Sequence, residues 1–118
     1  MSADLLIELR FAWTVAAHTK SNAIVVARNR AAVGIGAGDQ SRVGAARRAL
    51  DQAGERANGA VVASDGFFPF RDGVDQLGAA GVVALVEPGG SMRDEEVVKA
   101  ADEHHMTIVF TNRRHFKH

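Results

Sequence analysis

A chain of 118 residues, 47% hydrophobic and 24% charged, can bury one modest core and has no room for a second domain. Its 14 basic and 14 acidic side chains cancel and are scattered, which argues against a nucleic-acid or anionic-membrane partner. With no cysteine there is neither a disulfide framework nor a thiolate zinc site, and no apolar run approaches the ~20 residues of a membrane span, so the chain reads as soluble and cytoplasmic.

Ser2 is placed to cap a helix whose apolar residues Leu5, Leu9, Ala12, Trp13 and Ala16 recur at helical spacing, ending before Thr19. Asn22–Ala27 and Ala32–Ile35 are β-branched runs flanking Arg28-Asn29-Arg30, the pattern of a hairpin. A glycine-rich loop over Gly34–Gly38 leads into a helix from Ser41 to Ala53, with Gly54 as its C-cap. Ala60–Ala63 is a buried strand, Asp72 can cap a short helix through Leu77, and Val82–Val86 is the next strand. Ser91-Met92-Arg93-Asp94 forms a capping box that opens a helix to Glu103, and Thr107–Thr111 closes the sheet.

Strands separated by helices require right-handed crossovers, so the strands from the second onward are expected in parallel. The implied fold is α/β: a three-layer α/β/α sandwich around a mixed, mostly parallel five-stranded sheet with one antiparallel edge strand. Ligands of such sheets bind beyond the carboxyl ends of the parallel strands, here the Gly34–Gly38, Ser64–Asp72 and Pro88–Ser91 loops and the tail after Thr111.

Three features of those loops point to chemistry. The G-x-G-x-G spacing at Gly34 departs from the dinucleotide fingerprint and leaves two readings open: an anion site at a helix start with Arg42 adding charge, or a tight turn that packs strand on helix. Phe67, Phe68 and Phe70 stand in a connection that ought to be polar, so they plug an interface, stack on a planar heterocycle, or do both. The Pro88–Ser91 turn presents a capped helix start to a carbonyl or carboxylate. The five histidines show no i,i+4 pairing with a carboxylate, and no metal is expected.

Taken together, Lys20-Ser21-Asn22, GIGAG-x-x-SR, ASD-x-FFPFRD, PGGSMRDEEV, AADEH and the ending RHFKH resemble the C-terminal end of the bifunctional purine enzyme that joins aminoimidazole carboxamide ribotide transformylase to inosinate cyclohydrolase. The resemblance implies a cytidine-deaminase-like fold duplicated within the transformylase half, with this chain as the second copy and the first copy and the cyclohydrolase domain absent from it. It implies formyl transfer from 10-formyltetrahydrofolate to the ribotide's exocyclic amine, without zinc, in a site shared between subunits. The partner would be a second copy of the chain or the first transformylase copy.

By the same resemblance Asn22 orients a catalytic histidine of the partner copy, while Arg42, Phe67 and Arg114 contact the ribotide. Val43, Asp72, Ser91 and Met92 correspond to folate contacts. Asp39 replaces a family glutamine and Gly66 an alanine, and the lysine-histidine pair that handles proton transfer has no equivalent here. The alternative is a non-catalytic ligand-binding or assembly module on the same scaffold.

Overall fold

The Ser2 hydroxyl accepts from the Leu5 amide and caps α1 (Ala3–Ala17) in the computed structural model, which describes residues 2–112. The chain then makes the hairpin β1 (Ile24–Arg28) and β2 (Ala31–Gly36), turning at Asn29 and Arg30, both at positive φ. Asparagine adopts that conformation readily. Arg30 is held in it by the Glu8 carboxylate, which accepts from the Arg30 amide at 2.9 and 3.1 Å.

Next come α2 (Arg42–Ala53), capped by Ser41 and ended by Gly54 at φ 57°, and a 3-10 turn over Gly54–Ala57 that composition did not signal. The remaining elements are β3 (Val61–Ser64), α3 (Arg71–Ala79), β4 (Ala84–Glu87), α4 (Asp94–Glu103) and β5 (Thr107–Phe110). Among the described residues no helix is long and apolar enough to cross a membrane.

The result is an α/β fold with a five-stranded mixed sheet in the order β2-β1-β3-β4-β5. The one reversed strand is β1, but it is not at the edge. It pairs antiparallel with β2 on one side and β3 on the other, so only the β3–β4 and β4–β5 pairings are parallel. The hairpin explains the correction, because β1 takes the place beside β3 and its partner β2 becomes the edge.

Alternate strand residues separate two apolar clusters. Val25, Ala27, Ala63, Ala84 and Val86 pack with Leu9, Ala12 and Ala16 of α1. Ile24, Val26, Val62 and Leu85 pack with α2, α3 and α4 through Ala45, Ala49, Val74, Leu77, Val97 and Ala101. The small residues of α2 have a purpose: a Cβ on Gly34 or Gly36 would lie 2.0 Å from the backbone oxygen of Ala49 or Ala45. These two glycines therefore belong to strand β2 and to close helix-on-strand contact, and only Gly38, at φ 63°, belongs to a turn.

Two expected helix starts shift. Phe70, not Asp72, occupies the N-cap of α3 and contributes no side-chain bond, because Asp72 already lies in the first turn. At α4 the helix begins at Asp94. The box is only partly formed, with Asp94 accepting from the Gly90 and Ser91 amides while the Ser91 hydroxyl accepts from Arg93 N–H rather than from Asp94.

Candidate functional site

The last row of the sheet sets Ile24 beside Ser64 and Glu87 beside Phe110. Beyond it lie the ends of β3 and β4 and the start of α2. Arg42, the first residue of α2, reaches across this end. Its guanidinium forms an ion pair with the Asp65 carboxylate and donates to Asn22 Oδ1 at 2.8 Å. Asp65 Oδ1 also accepts the Ala23 amide at 3.1 Å, which fixes the entry into β1. The pair is withdrawn from water, with side-chain exposures of 10% for Arg42 and 0% for Asp65.

Arg42, expected to add charge at a helix start, lines a cleft beside Phe67 and is paired there with Asp65. A guanidinium neutralised by a buried carboxylate is a poor counter-charge for a free anion, so the site favours polar, uncharged ligand groups beside it. Asn22 gains a fixed orientation instead. Its oxygen faces Arg42, and among the described residues nothing accepts from its Nδ2.

Beside this triad is a cleft of about 540 Å³ lined by Asn22, Gln40, Ser41, Arg42, Phe67 and Pro69. Phe67 is half-buried at its wall. Phe68 is not in the exposed loop expected for it. It is fully buried, under Gly73, where an added Cβ would meet the ring 2.3 Å away. Pro69 and Phe70 are the exposed members of the run, and Arg93 lies 4.9 Å over the Phe70 ring.

Two acids at this end of the sheet escaped the sequence reading. Asp65 and Glu87 are both fully buried, and each keeps one oxygen, Oδ2 and Oε1 respectively, with no hydrogen-bond donor among the described residues. Glu87 Oε2 accepts the Gly89 amide at 3.0 Å. Burial pushes the Glu87 carboxyl up to about 7; the Gly89 amide opposes the shift, Asp94 adds to it, and the Phe68 amide and Arg42 oppose it more weakly. The available signal was an acid closing an apolar strand, as in VVASD and VALVEP, where charged residues are seldom buried without a reason.

The positions expected to contact folate do not line the cleft. Val43 is half-buried in the first turn of α2, Asp72 accepts its neighbour Gly73's amide at 2.9 Å, and Met92 is fully exposed beside Ser91. Arg114 lies outside the described residues. Asp39, which stands in place of the family glutamine, accepts from the Ser41 amide at 3.1 Å and pairs with Arg48 at 3.4 Å, and the first of these chiefly holds its pKa below the usual carboxylate range. Among the described residues no three metal-ligating side chains are grouped. A second cleft, of about 460 Å³, lies at the opposite end of the molecule around Asp4, Glu8 and Arg30, where the Arg30 guanidinium pairs with Asp4 and the Arg30 amide donates to Glu8.

In sequence, residues 1–52 match the AICARFT/IMPCHase bienzyme family. The chain is 57% identical over 111 residues to the bifunctional purine biosynthesis protein PurH of Desulfitobacterium hafniense, covering 94% of this chain and 21% of that protein. It is 55% identical over 117 residues to PurH of Trichormus variabilis, covering 99% and 23%. The chain thus spans about a fifth of the length of the curated relatives it matches. Among solved structures, Acinetobacter baumannii RibD superposes with a TM-score of 0.64 at 17% identity, over 90% of this chain and 33% of that one, a likeness of fold alone. On a fold shared with RibD, the chain is similar over nearly its whole length to part of the bifunctional purine biosynthesis protein PurH, and over residues 1–52 to the AICARFT/IMPCHase bienzyme family.

Proposed function

We propose that the chain is part of a folate-dependent formyltransferase of purine (IMP) biosynthesis, contributing the second deaminase-like copy, with its α/β/α layering, of the transformylase half. The reaction moves a formyl group from 10-formyltetrahydrofolate to the exocyclic amine of aminoimidazole carboxamide ribotide. One observation carries this reading. Asn22, Arg42 and Phe67 come from a β1 approach, a helix start and the β3–α3 loop, yet they meet at one cleft beyond the sheet.

Each then has a role that its surroundings support. Arg42, neutralised by Asp65, fixes the Asn22 amide, and the free Nδ2 donates to a carbonyl or ring nitrogen brought to the cleft. In the assembled enzyme that acceptor is the partner copy's catalytic histidine. The face of Phe67 suits a planar imidazole ring. Arg114 supplies a charged contact to the ribotide, and Val43, Asp72, Ser91 and Met92 form the folate side, completed by another copy of the fold. Proton transfer needs a positioned base, supplied by a lysine-histidine pair on a second polypeptide or on the rest of this one.

The test is calorimetry with the ribotide and a folate, on the chain alone and with a lysine-histidine-bearing partner copy. Ribotide binding that strengthens with the partner, with turnover only in the mixture, supports the reading. Absence of binding in both arms removes it.

A further inference from the structure

We infer that Asp65 is the positioning and specificity-determining residue of this cleft: its buried carboxylate cancels the Arg42 charge, so that the guanidinium orients Asn22 and does not take an anion. Asp65 directly follows Ser64, the last residue of β3, and stands two residues before Phe67. It is tied to the β1 approach at two points, with Oδ1 accepting the Ala23 amide at 3.1 Å and its own amide donating to the Ala23 carbonyl at 3.2 Å. The same Oδ1 takes one nitrogen of the Arg42 guanidinium, and the other nitrogen donates to Asn22 Oδ1 at 2.8 Å. The Asn22 backbone amide donates to the Asp39 carbonyl at 3.2 Å, so Asn22 is held by its backbone and by its side-chain oxygen at once. One carboxylate with no exposed surface thus joins the three segments that meet at the cleft.

The start of α2 is also closed to anions. Two of the amide hydrogens that would meet one are taken, because Ser41 N–H donates to Asp39 Oδ1 at 3.1 Å and Gly44 N–H to Ser41 Oγ at 2.9 Å. With Arg42 paired as well, a ligand meets neutral polar groups here, such as the Asn22 and Gln40 amides, and its charged part must be held elsewhere. Asp65→Asn keeps an acceptor for the Ala23 amide but leaves the half-sheltered guanidinium without its counter-charge. Arg42 then takes an external anion in place of the lost carboxylate, and Asn22 loses its fixed partner.

The inference rests on the proposed function only for the use made of Asn22, so the experiment has one readout without turnover and one with it. The nitrogen-labelled chain is titrated with inorganic phosphate at constant ionic strength, following the Asn22 Nδ2 and Arg42 Nη signals by NMR. Wild type, Asp65→Asn and the double variant Asp65→Asn/Arg42→Gln are compared, with a thermal melt of each. In wild type the Arg42 Nη protons should exchange slowly and neither signal should move. Asp65→Asn should show saturable phosphate shifts at both. The double variant, which removes both buried charges and so keeps the test open if the single variant fails to fold, should bind no phosphate and show a mobile Asn22 amide. In the assembled enzyme Asp65→Asn should lower kcat about 10- to 100-fold with a smaller change in KM, as a misplaced catalytic group does. Saturable phosphate shifts in wild type, no gain of phosphate binding in a folded Asp65→Asn, or an Asn22 amide as rigid in the double variant as in wild type would overturn the role of Asp65. If the signals behave as expected but no assembly turns over, that role stands and the formyl-transfer reading falls.

Discussion

Arg42 and Asp65 form a buried ion pair at the end of the sheet, and the same guanidinium holds the Asn22 amide. Removing one member of a buried pair leaves an uncompensated charge, at a cost of about 3–5 kcal/mol. Asp65→Ala should therefore lower the denaturation free energy by about that amount in urea unfolding, and Arg42→Ala by a similar one. A loss below about 1 kcal/mol in both would place this pair among solvated surface contacts.

Glu87 gives a stability effect of opposite sense. Its carboxyl is fully buried and raised to about 7 from an ordinary 4.5, so the folded chain holds a proton that the unfolded chain releases. Stability should fall as pH rises from 4.5 to about 7 and stay low above that, by a total of about 3 kcal/mol. In Glu87→Gln this slope should vanish and the variant should be the more stable protein at pH 8. Urea titrations across pH 5–8 decide it, and parallel curves for the two proteins would contradict it.

The aromatic loop divides by burial. Phe68→Ala opens a core cavity and should cost about 3–5 kcal/mol, whereas Phe70→Ser, at a ring half-exposed to solvent, should cost less than about 1 kcal/mol. Self-association or association with a partner copy should weaken in Phe70→Ser and Pro69→Ser, measured by sedimentation. Unchanged association in both variants would remove this loop from the interface.

Gly34→Ala and Gly36→Ala each drive a methyl into backbone carbonyl atoms of α2, which cannot swing aside. Each should destabilise by about 1–3 kcal/mol or more, while Gly38→Ala, strained only by its positive φ, should cost about 1 kcal/mol. Thermal melts rank the three. Equal, small losses would return Gly34 and Gly36 to a ligand-facing loop.

The elements that could be read in advance are those with local causes. Ser2, Ser41 and Gly54 mark helix ends by their own hydrogen bonding and φ, and α1 shows its apolar face by spacing alone. The interior place of β1 could not be read, because it depends on which distant strand pairs with the hairpin. Phe68 was misplaced because composition marks a loop as apolar without saying that one ring turns back under Gly73. At the site, Asn22, Arg42 and Phe67 were named from motifs. Asp65 and Glu87 were not, since an acid after an apolar strand looks like the first residue of an exposed loop until the helices are packed over it.

The most direct measurement is ribotide titration by calorimetry into the chain assembled with a lysine-histidine-bearing partner copy, comparing wild type with Asn22→Ala, Phe67→Ala and Arg114→Ala. Loss of a charge-assisted contact at Arg114 should cost about 1.5–3 kcal/mol and loss of the ring stack at Phe67 about 0.5–1.5 kcal/mol, with melting temperatures close to wild type for Arg114→Ala. Asn22→Ala should reduce turnover more than affinity, as expected of a group that orients a catalytic partner. Unchanged ribotide affinity in the Phe67 and Arg114 variants, with normal melting and full turnover in Asn22→Ala, would contradict a formyltransferase half-site at this cleft.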